Sequence, residues 1–473
     1  MIDTIKKSLN RGLELGATYV DVRMERNQME SVMAEDGKPK DASFSSEQGI
    51  GARALAGGSW GFSALRLKEG AEGETIFKVV EDAVKLAKAV KVSSKKVELA
   101  EVKPVEDVVE AKFKIDPKRV SLEERMNICV EASGRMFKYD PAIKRAATAI
   151  ASLSVDKTFC SSEGASIQQS QTVVFGTLYA QAVKGGVSEY YSHIAGGVGG
   201  FEILKEYDLV GHSEEIAERA VALVNADPAP TKKLPIILDP EFISLLSHEI
   251  LGHPSEADRV IGKEAAWAGR AWWAGKTGQK IFSEKLTAVS DATLDGYLGS
   301  FKYDDEGVPT RRVVHIEKGV LKDFLHSRET AKVFNVEPNG AMRAMSYLFA
   351  PLIRMTNTYI ERGDWKFEEM LEGIKEGVYL KGEKIPSIDS RRYNFQISAK
   401  EAYMIRNGEV AEPLRSPTLT GTSEEFLSSV DAVGEDLTIL PIPNCGKGEP
   451  MQTMRVGNGG PHIRGYGMVT GPR

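Results

Sequence analysis

The chain has 473 residues, too many for one ordinary hydrophobic core, so at least two domains are expected. With 42% hydrophobic and 27% charged residues it has the composition of a folded globular protein. A net charge of −6 argues against a surface built to neutralise phosphates, and no nucleic-acid partner is expected.

The first element is a helix. Ile2, Ile5, Leu9 and Leu13 recur at helical spacing after Asp3, with Gly16 as the stop, which reads as structure and not as a signal peptide. Tyr19 to Met33 has strand composition and ends at the turn Glu35-Asp36-Gly37. Two further strand-like runs, 49–54 and 60–65, flank Gly57-Gly58-Ser59 and predict a tight hairpin. A phosphate-binding loop is excluded there, because neither the Lys-Ser/Thr pair nor the helix that must follow is present.

A second helix carries Ile76, Val79, Val80, Ala83, Ala87 and Val90 on one face, and the charged stretch 93–110 after it reads as a solvated linker. Ser121-x-x-Glu124 opens a third helix over 121–137, which places Cys129 in a core. Strand-like alternation returns over 147–186 around Ser162-Glu163-Gly164, and Ser213 is expected to cap a helix carrying Ile216, Ala220, Val221 and Val224. Asp227-Pro228-Ala229-Pro230 then marks the domain boundary, giving 1–228 and 229–473. Beyond it the runs are short, β-like and bounded by Gly, Pro, Asn and Asp. The expected fold class is α+β: an N-terminal α/β domain, then a β-rich, barrel-like domain with one embedded metal-binding helix.

Even the greasy stretch 236–251 is interrupted by Asp239, Glu241 and His248, so nothing reaches the roughly 18 to 20 apolar residues of a membrane span. Three cysteines, 129, 160 and 445, are far apart and form no CxxC pair, which fits a reducing compartment; a cytoplasmic location without a membrane partner is expected.

The chemistry sits in Phe242 to Pro254. Apolar residues at 242, 243, 245, 246 and 250 suit a buried helix, and Pro240 suits its first turn. Within it, His248-Glu249-x-x-x-His253 differs by one residue from the His-Glu-x-x-His pattern, whose histidines lie about 40° apart on a helix. An i, i+5 pair lies about 140° apart on a straight helix and cannot share an ion. Two routes bring the rings together: the helix ends at Gly252 and the chain folds back before Pro254, or a π-turn widens the backbone locally. Either way a glycine before the second histidine is expected to be required, so that Gly252→Val should abolish metal binding.

A catalytic zinc takes three protein ligands and leaves a fourth position open. Glu256, Asp258, His212, His315, His326 and His462 are all conceivable third ligands. Cys445, in Asn444-Cys445-Gly446-Lys447-Gly448, is the strongest candidate, because a lone cysteine in a glycine-rich loop suits core packing poorly and thiolate binds zinc well. His462 is considered as an oxyanion partner, Arg391-Arg392 as an anchor for a substrate carboxylate or plain solvated surface, and strand 457–467 as an edge for an extended peptide.

These motifs resemble the TldD/PmbA family, and within it the metal-bearing TldD-like members. The matching residues are His248-Glu249-x-x-x-His253, Asn444 to Gly448, Gly51-Ala52-Arg53 with Gly61-Phe62, Asp305-Glu306-Gly307 before Val308-Pro309, and Arg354 to Thr358. They span nearly the whole chain. The resemblance implies a zinc peptidase that trims unfolded or short peptides, with Zn2+ on His248, His253 and Cys445 and with Glu249 as the base. It also implies a dimer, including a heterodimer with a related subunit that lacks the motif. The loop Gly448-Glu449-Pro450-Met451-Gln452 departs from the family pattern, which leaves Lys447 and Gln452 without an assigned role. Two other classes use the same residues: a metal-dependent amidase of small molecules, and a regulatory or binding protein with a structural metal site.

Overall fold

Alternating buried and exposed positions along five strands of 12 to 19 residues build one large sheet from the first 198 residues. The computed structural model describes residues 1–67, 70–90, 96–264 and 270–471. Strands Ser59–Arg66, Lys38–Ala56, Tyr19–Glu35, Ile143–Ser161 and Ser166–Lys184 follow one another antiparallel. The outer side of Ser166–Lys184 is shared by Val187–Val198, antiparallel, and the short parallel strand Glu106–Val109.

Helices cover one face. Ile2–Glu14 and Glu72–Ala89 bury Ile5, Leu9, Ile76, Val79, Val80 and Ala83 on Val20, Val22, Ile50 and Ala52. Leu122–Lys138 and Ser213–Asn225 cover the rest, with Cys129 in that core. The predicted hairpin turns at Gly57-Gly58, and Ser121 Oγ accepts from Glu124 N at 3.1 Å. Two local expectations change. Ser213 is the first residue of its helix instead of the cap, its hydroxyl donating to Val210 O at 2.7 Å. The segment 93–110, expected as linker, contributes strand Glu106–Val109 to the sheet, while residues 93–95 lie outside the described residues.

The uncovered face of this sheet meets the rest of the chain through buried ion pairs. Arg53 Nη1 lies 3.2 Å from Glu306 Oε1 and Arg23 Nη1 lies 3.2 Å from Asp305 Oδ2, so two of the motifs singled out in the sequence meet in space.

From residue 227 onward the chain forms separate sheets. Glu376–Ile388, Lys232–Leu238, Ile463–Thr470, Thr418–Thr422 and Asn394–Arg406 close into a five-stranded barrel through the pairing of its first and last members. Beside it stands a six-stranded sheet in the order Val320–Leu321, Arg312–Glu317, Ala288–Asp291, Asn357–Ile360, Gln452–Gly460, Thr438–Lys447. The helix Pro240–Ser247 buries Phe242, Ile243 and Leu246 in the core they share. The chain is thus α+β with a C-terminal barrel and an embedded helix. Among the described residues no helix is long and apolar enough to cross a membrane.

Candidate metal centre

The helix that carries the first histidine is fixed at its start by Asp239. Its Oδ1 accepts from Phe242 N at 2.7 Å, as an N-cap does, and from Gly382 N at 3.0 Å in the neighbouring barrel strand. Pro240 takes the first helical turn. At His248 the α-helix widens into a π-turn over His248–Gly252, and the His253 N–H donates to the His248 carbonyl. That i+5→i bond joins the two candidate ligand positions themselves and stacks residues that a straight helix would splay apart. Of the two routes open from the sequence, the π-turn is the one taken; Gly252 has φ −68 and ψ −61 and ends nothing. The glycine is needed for room instead: a Cβ there would sit 1.9 Å from Met355 Sδ.

The imidazoles of His248 and His253 meet edge to face with centroids 4.8 Å apart. Cys445 reaches them from strand Thr438–Lys447, beyond a bulge between Ile442 and Cys445, and so stands in a strand and not in a loop. Its Sγ lies 3.6 Å from His253 Nε2, and the ligand atoms of His248, His253 and Cys445 all lie within 4.8 Å of one another. Zinc bonds of about 2.1 Å to nitrogen and 2.3 Å to sulfur at tetrahedral angles separate the two donors by about 3.6 Å. The cluster therefore fits such an ion, with a small movement of its widest pair.

Each ring is held by its far nitrogen. His248 Nδ1 donates to Asn458 Oδ1 at 3.0 Å, and Asn458 Nδ2 donates to Thr358 O at 3.2 Å. His253 Nδ1 donates to Glu256 Oε2 at 3.1 Å, and that carboxylate also binds Arg259 Nε at 2.9 Å and Lys447 Nζ at 3.2 Å. These bonds fix the tautomers with Nε2 turned toward Cys445, the arrangement that orients histidine ligands around a metal. Burial opposes ionisation of Glu256, but Lys447 and His253 hold its carboxyl well below the usual range. Burial likewise opposes a Cys445 thiolate; the two histidines outweigh it and hold the thiol well below its ordinary value. Burial also disfavours a charged His248, yet Cys445 prevails and raises it to about 9.

Glu249 is 8% exposed and, with His248, His253 and Cys445, lines a cavity of about 430 Å³. Its carboxylate is paired with Arg392, which the sequence left undecided between anchor and solvated surface; Arg391 is exposed, Arg392 is not. Arg392 sits in the turn between the barrel strands Glu376–Ile388 and Asn394–Arg406 with φ 62, a costly conformation for an arginine. Its N–H donates to Asp389 O at 3.0 Å and its carbonyl accepts from Ser423 Oγ at 2.8 Å, which pins it there.

The other candidates are elsewhere. His315 bonds Ser290 Oγ and Asp323 O; His326 bonds Thr330 and Asp323; His462 bonds Tyr379 and Asp436; His212 stacks on Tyr207. Asp258 binds Lys447 Nζ at 2.8 Å. Lys447 is therefore a buried cation serving two carboxylates, and Gln452 supports the segment 345–350 by accepting from Met345 N and donating to Ala350 O. The run 457–467 offers little edge: residues 457–460 lie in a strand paired on each side, 463–467 pair with Lys232–Leu238, and on their other side 463–464 pair with Ala432–Val433 and Tyr466 bonds Ser429 Oγ. The edge lies next door, where Thr438–Lys447 ends its sheet with Pro441 to Gly446 on the cavity wall. Sequence reasoning missed Asn458 as a partner of His248; an asparagine inside the strand-like Val456-Gly457-Asn458-Gly459-Gly460 was the available signal.

A family model described as the PmbA/TldA metallopeptidase C-terminal domain matches residues 231–471, with those for domain 1 and the central domain matching 20–87 and 115–224. The chain is 35% identical to a metalloprotease of Methanocaldococcus jannaschii over 98% of this chain and 99% of that one. It is 28% identical to a zinc metalloprotease TldD homolog of Saccharolobus solfataricus over 97% of each. Among solved structures, TldE from Thermococcus kodakarensis matches with a TM-score of 0.76 at 22% identity, over 99% of this chain and 100% of that one. A putative modulator of DNA gyrase from Thermotoga maritima gives 0.77 at 19%, with the same coverage. At such identities the structural likeness is one of fold, whereas the full-length relatives and the matched domains establish descent: the chain belongs to the PmbA/TldD metallopeptidase family.

Proposed function

We propose that the chain is a zinc-dependent peptidase in which His248, His253 and Cys445 hold the ion and Glu249 is the general base. One observation carries the reading: two imidazoles and a thiol distant in sequence converge on one point beside a carboxylate that opens on a cavity. Zinc bound there would supply Lewis acidity, polarising a carbonyl and lowering the pKa of water. Glu249, next to His248 on the turn, takes the proton from the attacking water and delivers it to the leaving amine. Arg392 orients that carboxylate. Asn458 and Glu256 keep both histidines in the ligating tautomer. The outer edge of Thr438–Lys447, unpaired among the described residues, offers its carbonyls and those N–H groups that Pro441 and Pro443 do not remove to an extended peptide, a mode that asks little of side-chain identity.

We further propose a soluble, cytoplasmic protein whose two units divide near residue 228 and which pairs with a related subunit lacking the motif; one of its fold neighbours is titled TldE. The test is Glu249→Gln. The variant is expected to keep its zinc and lose cleavage of a denatured protein and of short peptides. Undiminished function in Glu249→Gln would favour a structural metal, and turnover restricted to small amides would favour an amidase.

A further inference from the structure

Among the described residues, the charged side chains around the metal cavity are paired, with one exception. Lys400 is bound by Glu241 and by Ser192 O, Lys384 by Glu189, and Arg392 by Glu249. Glu383, on the barrel strand Glu376–Ile388, lines the same cavity as His248 and Glu249 and makes no hydrogen bond or salt bridge among the described residues. Tyr190 stands in that wall with the Lys384 ammonium 4.7 Å from its ring centre. Burial pushes the Glu383 carboxyl up to about 7 even though Lys400 pulls the other way. A carboxylate left this way is an incomplete interaction: desolvated by the wall, it gains from any cation that enters.

We propose that Glu383 is a specificity-determining residue that receives a cationic group of the bound peptide, either a lysine or arginine side chain near the scissile bond or the α-ammonium. This deepens the peptidase reading above and rests on it for the identity of the ligand. The cavity, about 430 Å³, has room for a few residues of an extended chain, and Glu383 is the one carboxylate on its wall without a direct ion-pair partner among the described residues. A peptide lying along Pro441 to Gly446 would have its backbone held without regard to sequence, leaving selection to such a contact.

The test separates the subsite from the chemistry. Binding of dye-labelled short peptides to the zinc-loaded Glu249→Gln chain is followed by fluorescence anisotropy, with cleavage by the unaltered chain run in parallel. The peptides differ at one position at a time, lysine against norleucine, each with a free or acetylated N-terminus. The expected result is about ten-fold tighter binding for one cationic form, falling to near parity when Glu383→Gln is added and turning toward glutamate-containing peptides with Glu383→Lys. If the free and acetylated forms carry the difference, the ligand is the α-ammonium; if lysine and norleucine do, it is a side chain. No preference for either cation, or a preference that survives Glu383→Gln, would overturn the proposal. Peptides that bind with a Glu383-dependent preference and are never cut would sink the peptidase reading while upholding the subsite.

Discussion

Gly252→Ala adds a single methyl group between the two histidines, and the structure gives its cost. The new Cβ would lie 1.9 Å from Met355 Sδ and 3.0 Å from Met355 Cγ, where ordinary contacts between such atoms are about 3.5–4.0 Å. Either Met355, fully buried, or the π-turn must move by nearly 2 Å. Overpacking of this size costs about 1–3 kcal/mol. If the turn yields, the loss falls on the relative placement of His248 and His253, and zinc affinity drops roughly five- to 150-fold. Met355→Ala removes the obstructing atoms. In the Gly252→Ala background it should restore much of the affinity, although alone it opens a cavity and lowers the unfolding temperature. The assay is competition for zinc against a chromogenic chelator, with thermal unfolding of each metal-free variant as the control. Unchanged zinc affinity in Gly252→Ala, or a double variant no better than Gly252→Ala alone, would refute the steric account.

Three other outcomes are expected. Asn458→Ala frees His248 Nδ1 and should weaken zinc binding by about 10- to 100-fold with little change in secondary structure, read by chelator competition and circular dichroism. Arg392→Met leaves the three ligands intact and releases Glu249; zinc content should hold while kcat falls, and a variant losing zinc as fast as activity would contradict the role given to Arg392. Zinc must displace the proton that Cys445 holds on His248 up to about pH 9, while the two histidines push the Cys445 thiol down from its ordinary value. Zinc uptake near pH 7.5 should therefore release about one proton from His248 and tighten as pH rises, flattening above about 9; calorimetry in buffers of different ionisation enthalpy measures it.

What the sequence revealed and what it hid divide along physical lines. Helices announced themselves because their apolar stripes and caps are local: Ile76 to Ala87 lie where periodicity puts them, and Ser121 caps through Glu124. The hairpin at Gly57-Gly58 was equally local. The convergence of His248 and His253 needed only the impossibility of an i, i+5 pair on a regular helix, which forces a distortion. Which distortion was not legible, because the turn packs against Met355, about a hundred positions away in the chain, and its first histidine bonds Asn458, further still. Arg392 stayed undecided between anchor and surface because its direction depends on a left-handed turn, while Glu106–Val109 read as linker because four residues carry too little pattern to outweigh a charged run.

The central claim is one ion bound by His248, His253 and Cys445, and X-ray absorption at the zinc edge tests it most directly. The account predicts one sulfur at about 2.3 Å and two imidazole nitrogens at about 2.0–2.1 Å, with the sulfur signal and most of the zinc lost in Cys445→Ala. Zinc bound at full occupancy in Cys445→Ala, or a spectrum with no sulfur in the unaltered chain, would contradict it.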